Sequence, residues 1–192
     1  MLQQCLPGTN IQMDLQGGQD YRRALDAAFA MTGGIYLSQL TEIVGVPSAT
    51  LQNWVKRGYV SSPVGKRYTR RQTCRIILIA LLRHTLSLEE VADLLSWINN
   101  NLADEQDDLI DDSELYLYFC DVVQGWPPGH CPGADKLAGQ IEQVTRPFPD
   151  TVPGSRAKLN QVLLVMTLSY GAWLLQTEAR GRLASLKGGA KS

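Results

Sequence analysis

Apolar positions recur with a helical period through most of the chain, and Gly and Pro break the pattern into short segments. Leu25, Ala28, Phe29 and Ala30 predict a short helix over Tyr21 to Met31, ended by Gly33 and Gly34. Leu37, Leu40, Ile43 and Val44 then fall on one helical face. Gly45 supplies a turn where a positive φ costs little, and Ser48 is placed to cap a second helix whose buried side is Leu51, Trp54 and Val55. Two short helices joined by a tight Gly-containing turn form the helix-turn-helix pattern.

Gly58 stops the second helix, and Tyr59 to Tyr68, holding Pro63 and Gly65, reads as a compact loop or small wing. A third helix starts at Thr69, where Gln72 completes a capping box, and runs through Ile76, Ile77, Ile79, Ala80 and Leu81 to about Thr85. Ser87 and Glu90 form a second capping box, ahead of a stripe of Val91, Leu94, Leu95 and Ile98. Asn99 to Asp112 is a polar, acidic connector. Further helices are expected over Glu114–Val123, with Leu115, Tyr118, Phe119 and Val122 on one face, and over Leu137–Val144. A long final helix, capped by Ser155, reaches about Leu186. Met1 to Gly18 reads as a loose polar arm. With no strand expected beyond the wing, the fold class is all-α, in three parts: arm and short helix (1–35), helix-turn-helix domain (36–100) and helical C-terminal region (101–192).

Composition narrows the function. Hydrophobic residues make up 44% of the 192, enough for a packed core. Cys5, Cys74, Cys120 and Cys131 are scattered without paired spacing, which suits free thiols in a reducing cytoplasm. No basic start followed by an apolar run marks a signal peptide. The most apolar stretch, Leu159 to Leu175, is interrupted by polar residues and falls short of the ~20 a membrane span needs. It reads as a core or dimerisation helix.

The net charge of −1 hides a segregation. Between Glu42 and Glu89 there is no acidic residue, while Lys56, Arg57, Lys66, Arg67, Arg70, Arg71, Arg75 and Arg83 all lie in that span. Between Arg83 and Lys136 there is no Lys or Arg. The cations fall at the end of the second helix, in the wing and at the start of the third helix, where a line of duplex phosphates would meet them. Thr50, Gln52, Asn53 and Lys56 on the exposed face of the second helix are suited to base edges, since Gln and Asn pair with adenine in the major groove. The acids Asp104, Asp107, Asp108, Asp111 and Asp112 do not follow a calcium-loop spacing and read as a solvated connector.

The ordered series from Tyr36 to Asn100 resembles the DNA-binding domain of MerR-type regulators. Its elements are Gly45-Val46, Ser48-x-x-Leu51-x-x-Trp54, Arg57-Gly58, the hydrophobic-x-x-Pro segment Val60 to Pro63, Arg67-Tyr68, and Leu86 to Val91 opening the last helix. The phrase LQNWVKRGYV and the Asp-Asp pair before Leu115-Tyr116 look most like an uncharacterised bacterial MerR-like family, a domain of unknown function. The resemblance implies a dimeric transcription regulator with a winged helix-turn-helix. By position, Thr50, Gln52, Asn53, Lys56 and Arg57 would face the groove. Lys66, Arg67 and Tyr68 would form the wing, with Arg70 and Arg71 beside it. In place of the usual aromatic pair in the second helix, this chain has Trp54 and Val55.

Catalytic chemistry finds little support. His130-Cys131 with Cys120 lacks a fourth zinc ligand unless distant Cys74 or His84 joins, and His84 suits a helix C-terminus. Gly17-Gly18, Gly33-Gly34 and Gly188-Gly189 lack the Lys-Ser of a phosphate loop. The expectation is therefore a non-enzymatic DNA-binding regulator with no cofactor and no membrane contact. Its partners are duplex DNA, a second copy of the chain and an unidentified small-molecule effector. The final helix is the dimer candidate through Leu159, Val162, Leu163, Met166, Tyr170, Trp173 and Leu174, with burial in its own domain as the alternative. A protein-interaction module on the same scaffold is the competing function.

Overall fold

The computed structural model describes residues 4–13, 21–30, 33–99, 108–124, 126, 130–150 and 152–189. Asp104 and Asp107 of the connector, and Gly17-Gly18, lie outside them. The chain is mostly helical. The helices are α1 (Tyr21–Ala30), α2 (Leu37–Val44), α3 (Ser48–Lys56), α4 (Arg70–Leu82), α5 (Leu88–Asn99), α6 (Asp112–Val123), α7 (Ala134–Val144) and α8 (Ser155–Gly189). Four two-residue strands pair antiparallel, β1 (Gln4–Cys5) with β2 (Gln12–Met13) and β3 (Ile35–Tyr36) with β4 (Arg67–Tyr68).

Two of these pairings correct the sequence reading. The N-terminal arm, expected to be loose, folds back as the β1–β2 hairpin and buries Leu6 completely. Tyr116 Oη of α6 donates to the Pro7 carbonyl at 2.6 Å, so a buried phenol is satisfied by arm backbone. The segment Tyr59–Tyr68 does not stand alone either. Val64 and Arg67 exchange backbone hydrogen bonds of 3.1 and 3.0 Å around Gly65 and Lys66, both at positive φ, which is the two-residue turn that matches strand twist. Its returning strand then pairs with Ile35–Tyr36, ahead of α2. Two-residue strands carry too few alternating positions to leave a periodic signal.

Helix ends follow local rules with two exceptions. Thr69 Oγ1 accepts from Gln72 N while Gln72 Oε1 accepts from Thr69 N, and Ser87 and Glu90 form the same reciprocal pair. Gly45 closes α2 at φ +66°, its N–H reaching the Thr41 carbonyl at 2.9 Å. Ser48 and Ser155, expected as caps, are instead the first helical residues. Pro47 precedes α3 with no side-chain cap, its fixed φ already suited to a helix entrance. At α8 the free amide of Arg156 and the Ser155 hydroxyl both donate to Asp150 Oδ1.

The core is built on α4 and α6. Cys74, Ile76, Ile77, Leu78 and Ile79 are buried on α4, and Leu115, Tyr116, Leu117, Phe119, Cys120, Val122 and Val123 on α6. The one-sided stripe expected of α6 is thus an almost wholly buried helix, as a sequence apolar all round requires. It is packed by α1, α4, α7 and α8. Leu159, Val162, Leu163 and Met166 of α8 are fully buried in the same core, so these dimer candidates serve the chain's own interior. Burying four such side chains is worth roughly 1.5–3 kcal/mol each. One apolar cluster runs from Leu6 to Met166 across both expected boundaries. Among the described residues, no helix is long and apolar enough to cross a membrane.

Candidate nucleic-acid interface

Residues α2, the turn Gly45–Pro47 and α3 form one compact corner. α3 packs on α2, and its Leu51 and Trp54 are both buried. In a helix, positions one and two residues away from a buried stripe point elsewhere. Gln52, Asn53 and Lys56 are accordingly exposed, and with Ala49 and Arg57 they line one shallow concavity. Thr50 and Asn53 share an adjoining concavity with Arg57 and Arg83. The amide and cationic side chains of the second helix therefore emerge together on one side.

The cations are not equally available. Arg57 Nη2 donates to Glu89 Oε1 at 2.8 Å and to Tyr59 Oη at 2.9 Å, with the guanidinium 4.9 Å from the Tyr59 ring centroid. The Glu89 carboxyl is held below its usual range, first by its own backbone N–H and then by the Arg57 and Tyr59 hydrogen bonds. Lys66 sits exposed in the Val64–Arg67 turn that leads into β4. The Arg67 guanidinium lies 4.4 Å from the ring centroid of Tyr36, its register partner across the β3–β4 pair.

Three expected contact residues are placed differently. Tyr68 is 3% exposed and belongs to the core, because its strand position turns it inward against the buried cluster. Arg70 points to Asp26 of α1 at 3.4 Å and to Glu114 of α6 at 3.9 Å. Arg71 is bound to Asp108 and lies 3.7 Å from Asp112, a largely covered site. Both arginines open α4, and the acidic α6 start packs directly against that helix. Opposite charges at the entrances of two packed helices meet each other before they meet solvent. The acids expected to be a solvated connector are in part buried: Asp112 has no exposed surface.

Glu89, Tyr36 and Arg83 were not singled out by sequence. Arg83 belonged to the acid-free span, a signal that was present. The two others depend on packing and strand register, which no local pattern records.

The zinc reading does not assemble. Cys120 is fully buried in α6, where desolvation pushes its thiol well above the usual range, and Cys131 lies against Gly171 of α8. Among the described residues, no three His, Cys, Asp or Glu side chains come together as metal ligands.

The family described as "Domain of unknown function (DUF1836)" matches residues 34–119, from the start of the β3–β4 pair into α6. The chain is also similar to "Uncharacterized protein YkrK" of Bacillus subtilis (strain 168), 24% identical over 162 residues. That match covers 79% of this chain and 70% of the relative. No solved structure matches the chain.

Proposed function

We propose that the chain is a sequence-specific DNA-binding transcription regulator, with α3 as the helix that enters the major groove. The observation that carries this reading is the exposure of Gln52, Asn53 and Lys56 on one face of a helix anchored behind by Leu51 and Trp54. A helix presenting amides flanked by cations can read base edges while it holds phosphates. The Val64–Arg67 turn with β4 then acts as a wing, as in the MerR-like arrangement, with Lys66 in the turn as a phosphate contact. Arg70 and Arg71 are left out of the contact set because acids of the same chain already face them.

The test is anisotropy of a duplex recovered by in vitro selection with the full chain. With Lys56, Lys66 and Arg67 as phosphate contacts, the log–log salt slope is about −2.7 per copy, from about −0.9 per phosphate. Lys56→Ala lowers the slope magnitude by about 1, whereas Gln52→Ala and Asn53→Ala change the preferred sequence at a cost of about 1–3 kcal/mol at the affected base pair. Selection that enriches no sequence, or Lys56→Ala leaving affinity and slope unchanged, removes α3 from the role.

The intramolecular pairing of Arg57, Arg70 and Arg71 favours one competing reading, a protein-interaction module that keeps the helix-turn-helix scaffold. It predicts that duplex binding stays weak at low salt and that the same α3 variants abolish capture of a protein partner instead.

A further inference from the structure

The carbonyls that end α2 are satisfied from the N-terminal arm. The last four carbonyls of an α-helix find no partner within it. In α2 they belong to Thr41, Glu42, Ile43 and Val44. The Gly45 N–H takes the first of these. Asn10, in the loop between β1 and β2, takes the next two. Its backbone N–H donates to the Ile43 carbonyl at 2.7 Å, and its Nδ2 donates to the Glu42 carbonyl at 2.8 Å. The first helix of the helix-turn-helix corner is thus capped by a residue 32 positions before Glu42.

The loop that presents Asn10 is itself seated on the core. Thr9 Oγ1 donates to the Leu6 carbonyl at 2.9 Å and accepts from the Ile11 N–H at 3.1 Å, which closes the loop. Gly8, at φ +75°, lies directly on α4: a Cβ there would come 2.8 Å from Leu81 Cδ1 and 3.2 Å from Ile77 Cγ2. Pro7 meets α6 through its carbonyl and the Tyr116 hydroxyl, and Leu6 has no exposed surface. One hairpin therefore holds α6 at Pro7, α4 at Gly8 and α2 at Asn10. Its strands are two residues long, too short to be stable without these seats. The corner has the matching need, since α2 has 8 residues and α3 has 9, and helices of that length are marginal alone.

We propose that the arm is a strap that locks the α2–α3 corner onto the α4–α6 core, and that arm and corner open together as one cooperative unit. Marginal elements that share their hydrogen bonds open as a unit. The placement of Gln52, Asn53 and Lys56 then depends on a segment that lies outside the matched residues 34–119. Whatever lifts the arm loosens α3, and whatever holds the arm down stiffens it. The proposal stands on the arm's own contacts, whether or not α3 binds DNA.

Native-state amide hydrogen exchange of the full chain, read residue by residue by NMR, tests it. Gly8→Ala drives a methyl group into Leu81 at a backbone conformation that disfavours side chains, and its nearest neighbours belong to α4 rather than to the corner. The expected result is that the protection factor of Leu6 falls at least about tenfold, that Gly45 and Leu51 fall with it to within about threefold, and that Leu163 and Met166 of α8 keep theirs. Asn10→Asp, which sets an acceptor against the Glu42 carbonyl, gives the same pattern from the other end of the strap. Loss of protection at Leu6 with Gly45 and Leu51 unchanged would show the arm to be a passenger and overturns the proposal. An equal loss at Leu163 and Met166, the mark of global destabilisation, also overturns it, as does an arm that stays fully protected in both variants.

Discussion

Arg75 of α4 and Asp112 of α6 form a buried ion pair, with Nη1 3.2 Å from Oδ2, and Arg75 Nε also donates to the Tyr59 carbonyl at 2.8 Å. One guanidinium thus joins the loop after α3 to the first turn of α6. Burial pushes the Asp112 carboxyl up, against the pull of Arg75 and Arg71. Removing one partner leaves the other charge buried and unpaired. Arg75→Met is expected to cost about 3–5 kcal/mol in urea unfolding, and Arg75→Met/Asp112→Leu to recover much of that loss. A single variant as stable as the parent would show the pair to be energetically idle.

Arg71 and Asp108 place a cation of α4 under an acid that belongs to the connector. If α3 binds duplex DNA, this pairing withholds a positive charge from the phosphate field. Asp108→Asn is expected to tighten duplex binding roughly fivefold at low salt, about 1 kcal/mol, and the gain shrinks as salt screens it. Weaker binding would mean that Asp108 supports the interface rather than competing with it.

His84 stacks on Trp173 with ring centroids 4.8 Å apart and planes 19° from parallel. Burial lowers the imidazole pKa below its ordinary 6.5. The unfolded chain therefore takes up this proton first on acidification. Its contribution to stability is present above pH 6.5 and is lost as pH falls from there through the folded value. Melting temperatures of the parent should fall between neutral and mildly acidic pH more steeply than those of His84→Gln. Equal slopes would place the pH dependence elsewhere.

Gly171 allows the segment around Cys131 to lie directly on α8: a Cβ there would overlap the Cys131 side chain and come within 3.9 Å of Trp126. Gly171→Ala is expected to lift that segment, at about 1–3 kcal/mol of overpacking cost. The Cys131 thiol, half-covered and raised by burial, should then react faster with an aromatic disulfide reagent. An unchanged reaction rate with unchanged stability would mean that the segment adapts without strain.

Much of the helical frame was legible because its determinants are local. The capping boxes Thr69–Gln72 and Ser87–Glu90, the αL turn at Gly45 and the buried triad of Leu51, Trp54 and the half-buried Val55 depend on residues within one or two helical turns. So does the exposure of Gln52, Asn53 and Lys56, which follows once the buried side of α3 is known. The fates of Tyr68, Arg70 and Arg71 were not legible, since a basic or aromatic residue reads the same whether its partner is a phosphate, a core or an Asp forty positions away.

The chain's own order of residues determined where helices begin and end and that its cations and acids fall into separate stretches, because backbone hydrogen bonding and side-chain period act between near neighbours. Tertiary structure alone decided which charges cancel, which face of α8 is spent on the interior, and that Leu6 and Ile35 return to distant elements. Those outcomes are set by packing between segments far apart in the chain, where the desolvation and pairing of each group depend on what the fold brings against it.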